Sequence, residues 1–151
     1  MFPFNAWLQA QLDNYRQQLR NTTMEFYLAE SSLERDDSEI SELRRYYLTG
    51  MHMAELSQQQ GDENRYLFSL IKLHQRLIHE INNIGRDHLF RVQSYYFARQ
   101  TLRCICVQFN LMGHWDKATA FQADFMQQVA FIPLCRAWSR TDLPGHKPNR
   151  S

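Results

Sequence analysis

The sequence predicts an all-α fold: a bundle of about five helices in antiparallel hairpins around a central buried helix over residues 87–112. Three observations carry that expectation. Five Gly and four Pro in 151 residues are few for a chain rich in turns, while 44% hydrophobic and 22% charged residues are ordinary globular values. Apolar residues recur at spacings of three and four along most of the chain, which is the period of a helix face. Glycine followed closely by aspartate punctuates the pattern at Gly61-Asp62, Gly85-Arg86-Asp87 and Gly113-His114-Trp115-Asp116. Glycine closes one helix in a left-handed conformation and aspartate caps the next.

The first helix is read from Leu8, Leu12, Tyr15, Leu19, Thr22, Phe26, Ala29 and Leu33, an unbroken heptad seam within residues 4–33. Two readings of it stand side by side. It packs inside its own chain, or it forms a homodimer seam through Leu8, Leu12, Tyr15, Leu19 and Phe26, against which the polar Thr22 counts. Asp37 or Ser38 is then expected to cap a second helix that runs to about Gln60 and carries Glu39 and Glu42 near its positive end. Its buried side is read as Ile40, Leu43, Tyr47, Met51 and Ala54, with Gly50 allowing a close backbone approach or a bend.

Helix three follows through about Asn83 with Leu67, Leu70, His74, Leu77, Ile81 and Ile84 on one face, widened by Ile71 and Ile78. In helix four, the apolar residues after Leu102 (Ile105, Val107, Phe109, Leu111, Met112) point in all directions, as in a helix wrapped by its neighbours. Helix five, about 116–131, sets Ala118, Phe121, Phe125 and Val129 on one side, and Pro133 bars its continuation. A short helical turn over 134–138 completes a single domain of residues 1–138, and the polar end, 139–151, has the composition of a disordered tail.

Residues 98–132 resemble a tetratricopeptide-type helical hairpin. Ile105, Cys106, Phe109, Gly113, Trp115 and Ala118 stand in the family's order and spacing, an aliphatic, a small and an aromatic residue leading through a glycine turn to an aromatic and an alanine. Farther on the pattern departs, with Gln122 and Phe125 in place of the later aromatic and alanine. The glycine turns at 61 and 113 lie 52 residues apart, against a repeat of ~34 in that family. The resemblance implies antiparallel helix pairs and a surface for a peptide or partner helix, without a regular array.

Charge is divided along the chain. Residues 1–65 hold 6 Arg and 11 Asp+Glu, net −5, and residues 66–151 hold 11 Lys+Arg and 5 Asp+Glu, net +6. The longest uncharged run, Cys104–Trp115, is short of the ~20 residues that cross a bilayer, so no membrane segment is expected. Three cysteines without a framework spacing read as reduced thiols, which suits the cytoplasm.

Several chemistries lack their residues. Cys104 and Cys106 are two apart, so on a helix their sulfurs point away from one another and cannot share a metal ion. The six histidines supply no ligand pair at helical spacing, and His74 sits within an apolar stripe as a core or interface histidine does. Glu30 with Glu34 and Glu39 with Glu42 lie in acidic, polar surroundings that would not separate their pKa values. Phosphate-cradling and nucleophile-elbow motifs are absent. The expectation is therefore no enzyme, no metal and no cofactor.

The most suggestive feature is a basic and aromatic stripe on helix four: His88, Arg91, Tyr95, Arg99 and Arg103, at spacings of 3, 4, 4 and 4. Arginine and tyrosine are enriched where interfaces are strongest. The stripe either packs on the acidic half of its own chain or meets a partner. The expected function is a helical adaptor, chaperone or regulatory subunit that binds another protein. The first rival is a nucleic-acid-associated regulator using the same arginines, and the second an enzyme whose site is scattered in the sequence.

Overall fold

The computed structural model describes residues 3–129, which form five helices and no strand. They are α1 (Pro3–Leu33), α2 (Ile40–Gln59), α3 (Glu63–Asn82), α4 (His88–Leu111) and α5 (Trp115–Val129). The fold class is therefore all-α. The turn expected over 134–138, Cys135 and the tail over 139–151 lie outside the described residues. The chain divides into two compact units, residues 1–73 and 74–151, with the division inside α3.

In the first unit α1 packs on α2. The heptad seam supplies α1's side of the contact over half its length, because Leu19, Thr22, Phe26, Ala29 and Leu33 are buried while Leu8 and Leu12 are exposed and Tyr15 is half-buried. Leu19 and Phe26 are thus core residues of their own chain. Facing them are Leu43, Tyr46, Gly50 and Ala54. The buried ring is Tyr46, stacked on Phe26 at 5.0 Å, and the expected Tyr47 and Met51 are only half-buried. The inward face keeps the expected Leu43 and Ala54 but turns toward Tyr46 and Gly50 rather than Tyr47 and Met51.

α2 begins later than an Asp37 or Ser38 cap would start it, and Ser38 explains the later start. Its hydroxyl donates back to the Arg35 and Ser32 carbonyls and so closes α1's end, leaving Glu39 as the N-cap of α2. The Glu39 N–H donates to the Glu42 carboxylate at 2.9 Å. That bond, helped by Ser38 and Arg35, holds Glu42's carboxyl below its usual pKa. Gly50 is where the backbone comes close: a Cβ built there would lie 2.9 Å from Leu73 Cδ1 and 3.0 Å from the Phe26 ring. Gly61, with φ +74°, takes the left-handed conformation expected of a helix stop, and Asp62 Oδ1 accepts from the Arg65 N–H.

The second unit holds the end of α3, α4 and α5. On α3, Leu77, Ile78 and Ile81 are buried as the spacing predicts, but Ile84 is exposed because the helix has ended at Asn82. Asp87 caps α4 by accepting from the Phe90 N–H at 2.8 Å, and Gly113, φ +80°, closes it. α4 packs along α5. Its apolar residues do not all turn inward: Ile105, Cys106 and Phe109 are buried, whereas Val107 and Leu111 are 52% and 77% exposed. Helix four buries one face, and polar residues share it, with Ser94, Thr101 and Gln108 interleaved among Phe90, Ala98 and Ile105. Ser94 and Thr101 satisfy their hydroxyls on the Phe90 and Ala98 carbonyls of their own helix.

Candidate functional site

The structure divides the stripe of helix four. His88, the first residue of α4, is exposed. Arg91 is half-buried and donates from Nε to the Ile81 carbonyl at 2.7 Å, so it ties α4 to the last turn of α3. Tyr95 is half-buried and stacks on Phe125 of α5 with ring centroids 5.8 Å apart. The Arg99 guanidinium lies over the Tyr95 ring at 5.9 Å, and Arg99 and Arg103 are both exposed. Neither makes an ion pair among the described residues.

Tyr95, Arg99 and Arg103 line a cleft of about 740 Å³ between α4 and α5, walled on its apolar side by Leu102, Val107 and Met126. His88 and Arg91 do not take part. The cleft follows from the helix period. Residues 95, 99 and 103 climb one side of α4, and 102 and 107 flank them. From α5, Phe125 turns inward under Tyr95 while Met126, one residue on, stays exposed at the rim. The contribution of α5 was hidden in the sequence, where Met126 follows the expected core residue Phe125 with nothing to mark it.

Two guanidiniums one turn apart, each with five N–H donors, suit carboxylates or phosphates, and the apolar wall suits an aliphatic or aromatic side chain beside them. Cys106 also lines the cleft, but its Sγ donates to the Ala118 carbonyl at 3.6 Å and burial pushes its thiol pKa up, so it stays protonated and a poor nucleophile. Cys104 is half-buried and both cysteines are free thiols. Among the described residues no group of three or more His, Cys, Asp or Glu could hold a metal ion, and no helix is long and apolar enough to cross a membrane.

Two further polar sites were only partly legible. His74 is buried, and its Nδ1 donates to Thr101 Oγ1 at 2.8 Å and lies 3.2 Å from the Ala98 carbonyl, which also accepts from Thr101. Its ring leans on Phe125 and Phe121, and burial pushes its pKa down to about 4 against the pull of the Ala98 carbonyl. A histidine so held is neutral at neutral pH and structural. Glu80, 1% exposed, accepts from Arg76 Nε at 3.1 Å and Arg86 Nε at 2.8 Å, while the Arg86 guanidinium lies 4.6 Å over the Phe90 ring. Only the four-residue spacing of Arg76 and Glu80 hinted at this triad, since Arg86 lies beyond a helix end.

Of the residues behind the tetratricopeptide resemblance, Ile105, Cys106, Phe109 and Ala118 are buried and Trp115 is exposed. No family model, curated protein or solved structure matches the chain.

Proposed function

We propose that this protein is a non-enzymatic, cytoplasmic adaptor, chaperone or regulatory subunit whose α4–α5 cleft takes an acidic segment of a partner protein with an apolar side. The observation that carries this reading is the pair Arg99 and Arg103, exposed on the rim of an apolar-walled cleft and without an ion pair among the described residues. Carboxylates of the partner would meet the guanidiniums while an aliphatic or aromatic anchor enters beside Leu102 and Met126. Tyr95, held by Phe125, supplies a fixed floor under Arg99. The likeness of residues 98–132 to a tetratricopeptide-type hairpin supports the same reading, since such hairpins serve as peptide-binding surfaces.

The test is to purify partners on the tagged protein from its native cell and to repeat the capture with Arg99→Ala. Stability of the variant should stay within about 0.5 kcal/mol of the parent, as for an exposed residue, while capture weakens by about 2 kcal/mol or more, as for an interface anchor. A marked loss of stability with unchanged capture would refute the reading. Should the captured partner be a nucleic acid, the logarithm of its affinity would fall steeply and linearly with the logarithm of salt concentration, and the rival reading would replace this one.

A further inference from the structure

α1 carries a second, exposed stripe. At 100° per residue Arg16, Arg20, Met24, Tyr27, Ser31 and Glu34 fall within an arc of about 80°, with Leu28 just beyond its border and the buried Thr22, Ala29 and Leu33 on the far side. The middle of the stripe is open, with Met24 69%, Leu28 59% and Tyr27 54% exposed, and the Lys72 ammonium of α3 lies 4.8 Å over the Tyr27 ring. Its first end is basic: Arg16 and Arg20 join Arg65 around a cleft of about 550 Å³ floored by Leu19, Met24 and Tyr27. Its other end is acidic, with Glu34 on the stripe, Glu30 beside it, and Asp36 and Asp37 just beyond. Arg16, Arg20, Arg65, Glu30 and Glu34 make no ion pair among the described residues.

The order basic, apolar, acidic is self-complementary under a two-fold rotation. Arg16 and Glu34 are placed symmetrically about residue 25, and so are Arg20 and Glu30. We propose that α1 pairs antiparallel with α1 of a second copy, the axis passing near residue 25. Met24, Tyr27 and Leu28 of the two copies meet at the centre, and Arg16 and Arg20 of each receive Glu34 and Glu30 of the other. Both pairs of charges are four residues apart, so they climb the helix at the same rise of ~6 Å and can engage together. A parallel pairing would set Arg against Arg and Glu against Glu, so the charges select the antiparallel one, and an isologous contact of this kind closes at two copies.

The exposed parts of the three central side chains amount to roughly 700 Å² in a pair, and the stems of the flanking arginines and glutamates bring it toward the ~1,200 Å² at which specific interfaces begin. The dimer is accordingly one that dissociates on dilution. This surface is separate from the α4–α5 cleft and is independent of the reading given to it.

Sedimentation equilibrium of the full chain tests the pairing. The parent should pass from its 18.1 kDa monomer mass toward twice that value between about 1 and 100 µM. Arg16→Glu with Arg20→Glu should give a helical monomer throughout, and so should Glu30→Arg with Glu34→Arg, because each sets like charges together at both ends. Mixed in equal amounts the two variants should restore the dimer, since every facing pair is again of opposite sign. Should either charge variant lose its circular dichroism signal, Met24→Ser with Leu28→Ser, which empties the apolar centre, takes its place and should be monomeric. A parent that stays monomeric at 100 µM overturns the proposal. So does a charge variant that still dimerises alone, as it would through Leu8 and Leu12, or a mixture that does not.

Discussion

Acidification should unfold this protein in part through one histidine. In the folded chain His74 is enclosed by Phe121, Phe125 and the Thr101 hydroxyl, and its pKa is pushed down to about 4 from an ordinary 6.5. The unfolded chain therefore binds a proton that the folded chain refuses. The neutral ring's contribution is fully present above pH 6.5 and is lost as pH falls toward 4. A separation of 2.5 pH units at ~1.36 kcal/mol per unit sets a ceiling of about 3 kcal/mol, of which about 2 kcal/mol is gone by pH 5. Carboxylates titrate in the same range, so the measurement is a difference. Urea denaturation of the parent and of His74→Gln, which cannot titrate, is followed from pH 7.5 to pH 4.5. Whatever the substitution costs at pH 7.5, the parent should lose about 2 kcal/mol more than the variant on going to pH 5. Parallel curves would show that His74 takes up its proton in the folded state and would refute the reasoning.

Glu80→Gln sets a neutral amide against the Arg76 and Arg86 guanidiniums, and breaking so buried a set of charges should cost roughly 3–5 kcal/mol in chemical denaturation; a loss under about 1 kcal/mol would mean that water reaches the triad. Gly50→Ala gains about 1 kcal/mol of helix propensity but drives a methyl against the buried Leu73 and Phe26, so a net loss of about 1–2 kcal/mol is expected, and a gain in denaturation midpoint would show that both can retreat.

What the sequence made legible was local. The glycine stops at 61 and 113 and the aspartate cap at 87 depend on a few neighbouring residues, and each lies where its type predicts. Of the stripe expected on α3, Leu70, His74, Leu77 and Ile81 are buried as spaced, while Leu67 is half-buried and Ile84 is exposed. Misreadings arose where two neighbours are chemically alike or where a polar residue does a core residue's work. Tyr46 and Tyr47 are the same residue one step apart, and the spacing alone does not tell which ring meets Phe26; in the structure it is Tyr46. Ser94 and Thr101 look like breaks in an apolar face, yet by bonding to carbonyls of their own helix they need no water and pack inside it. In the candidate site, the period of helix four brought Tyr95, Arg99 and Arg103 together on one cleft. It could not separate Arg91 from them, because Arg91's partner is the backbone carbonyl of Ile81, a group every residue carries.

The triad around Glu80 bears on the order in which the chain folds. Its two ion pairs span sequence separations of four and six, whereas the bond from His74 to Thr101 spans 27. Closing a loop of ten residues or fewer takes about 10–100 ns, comparable with helix growth itself, and forfeits little chain entropy. The corner between α3 and α4 can thus order while those helices are still lengthening, and what is left to a slower search is the meeting of His74 with Thr101 and of Phe125 with Tyr95, 27 and 30 residues apart. A change at Glu80 would accordingly be felt in the refolding limb of a chevron plot, and a change at Phe125 in the unfolding limb.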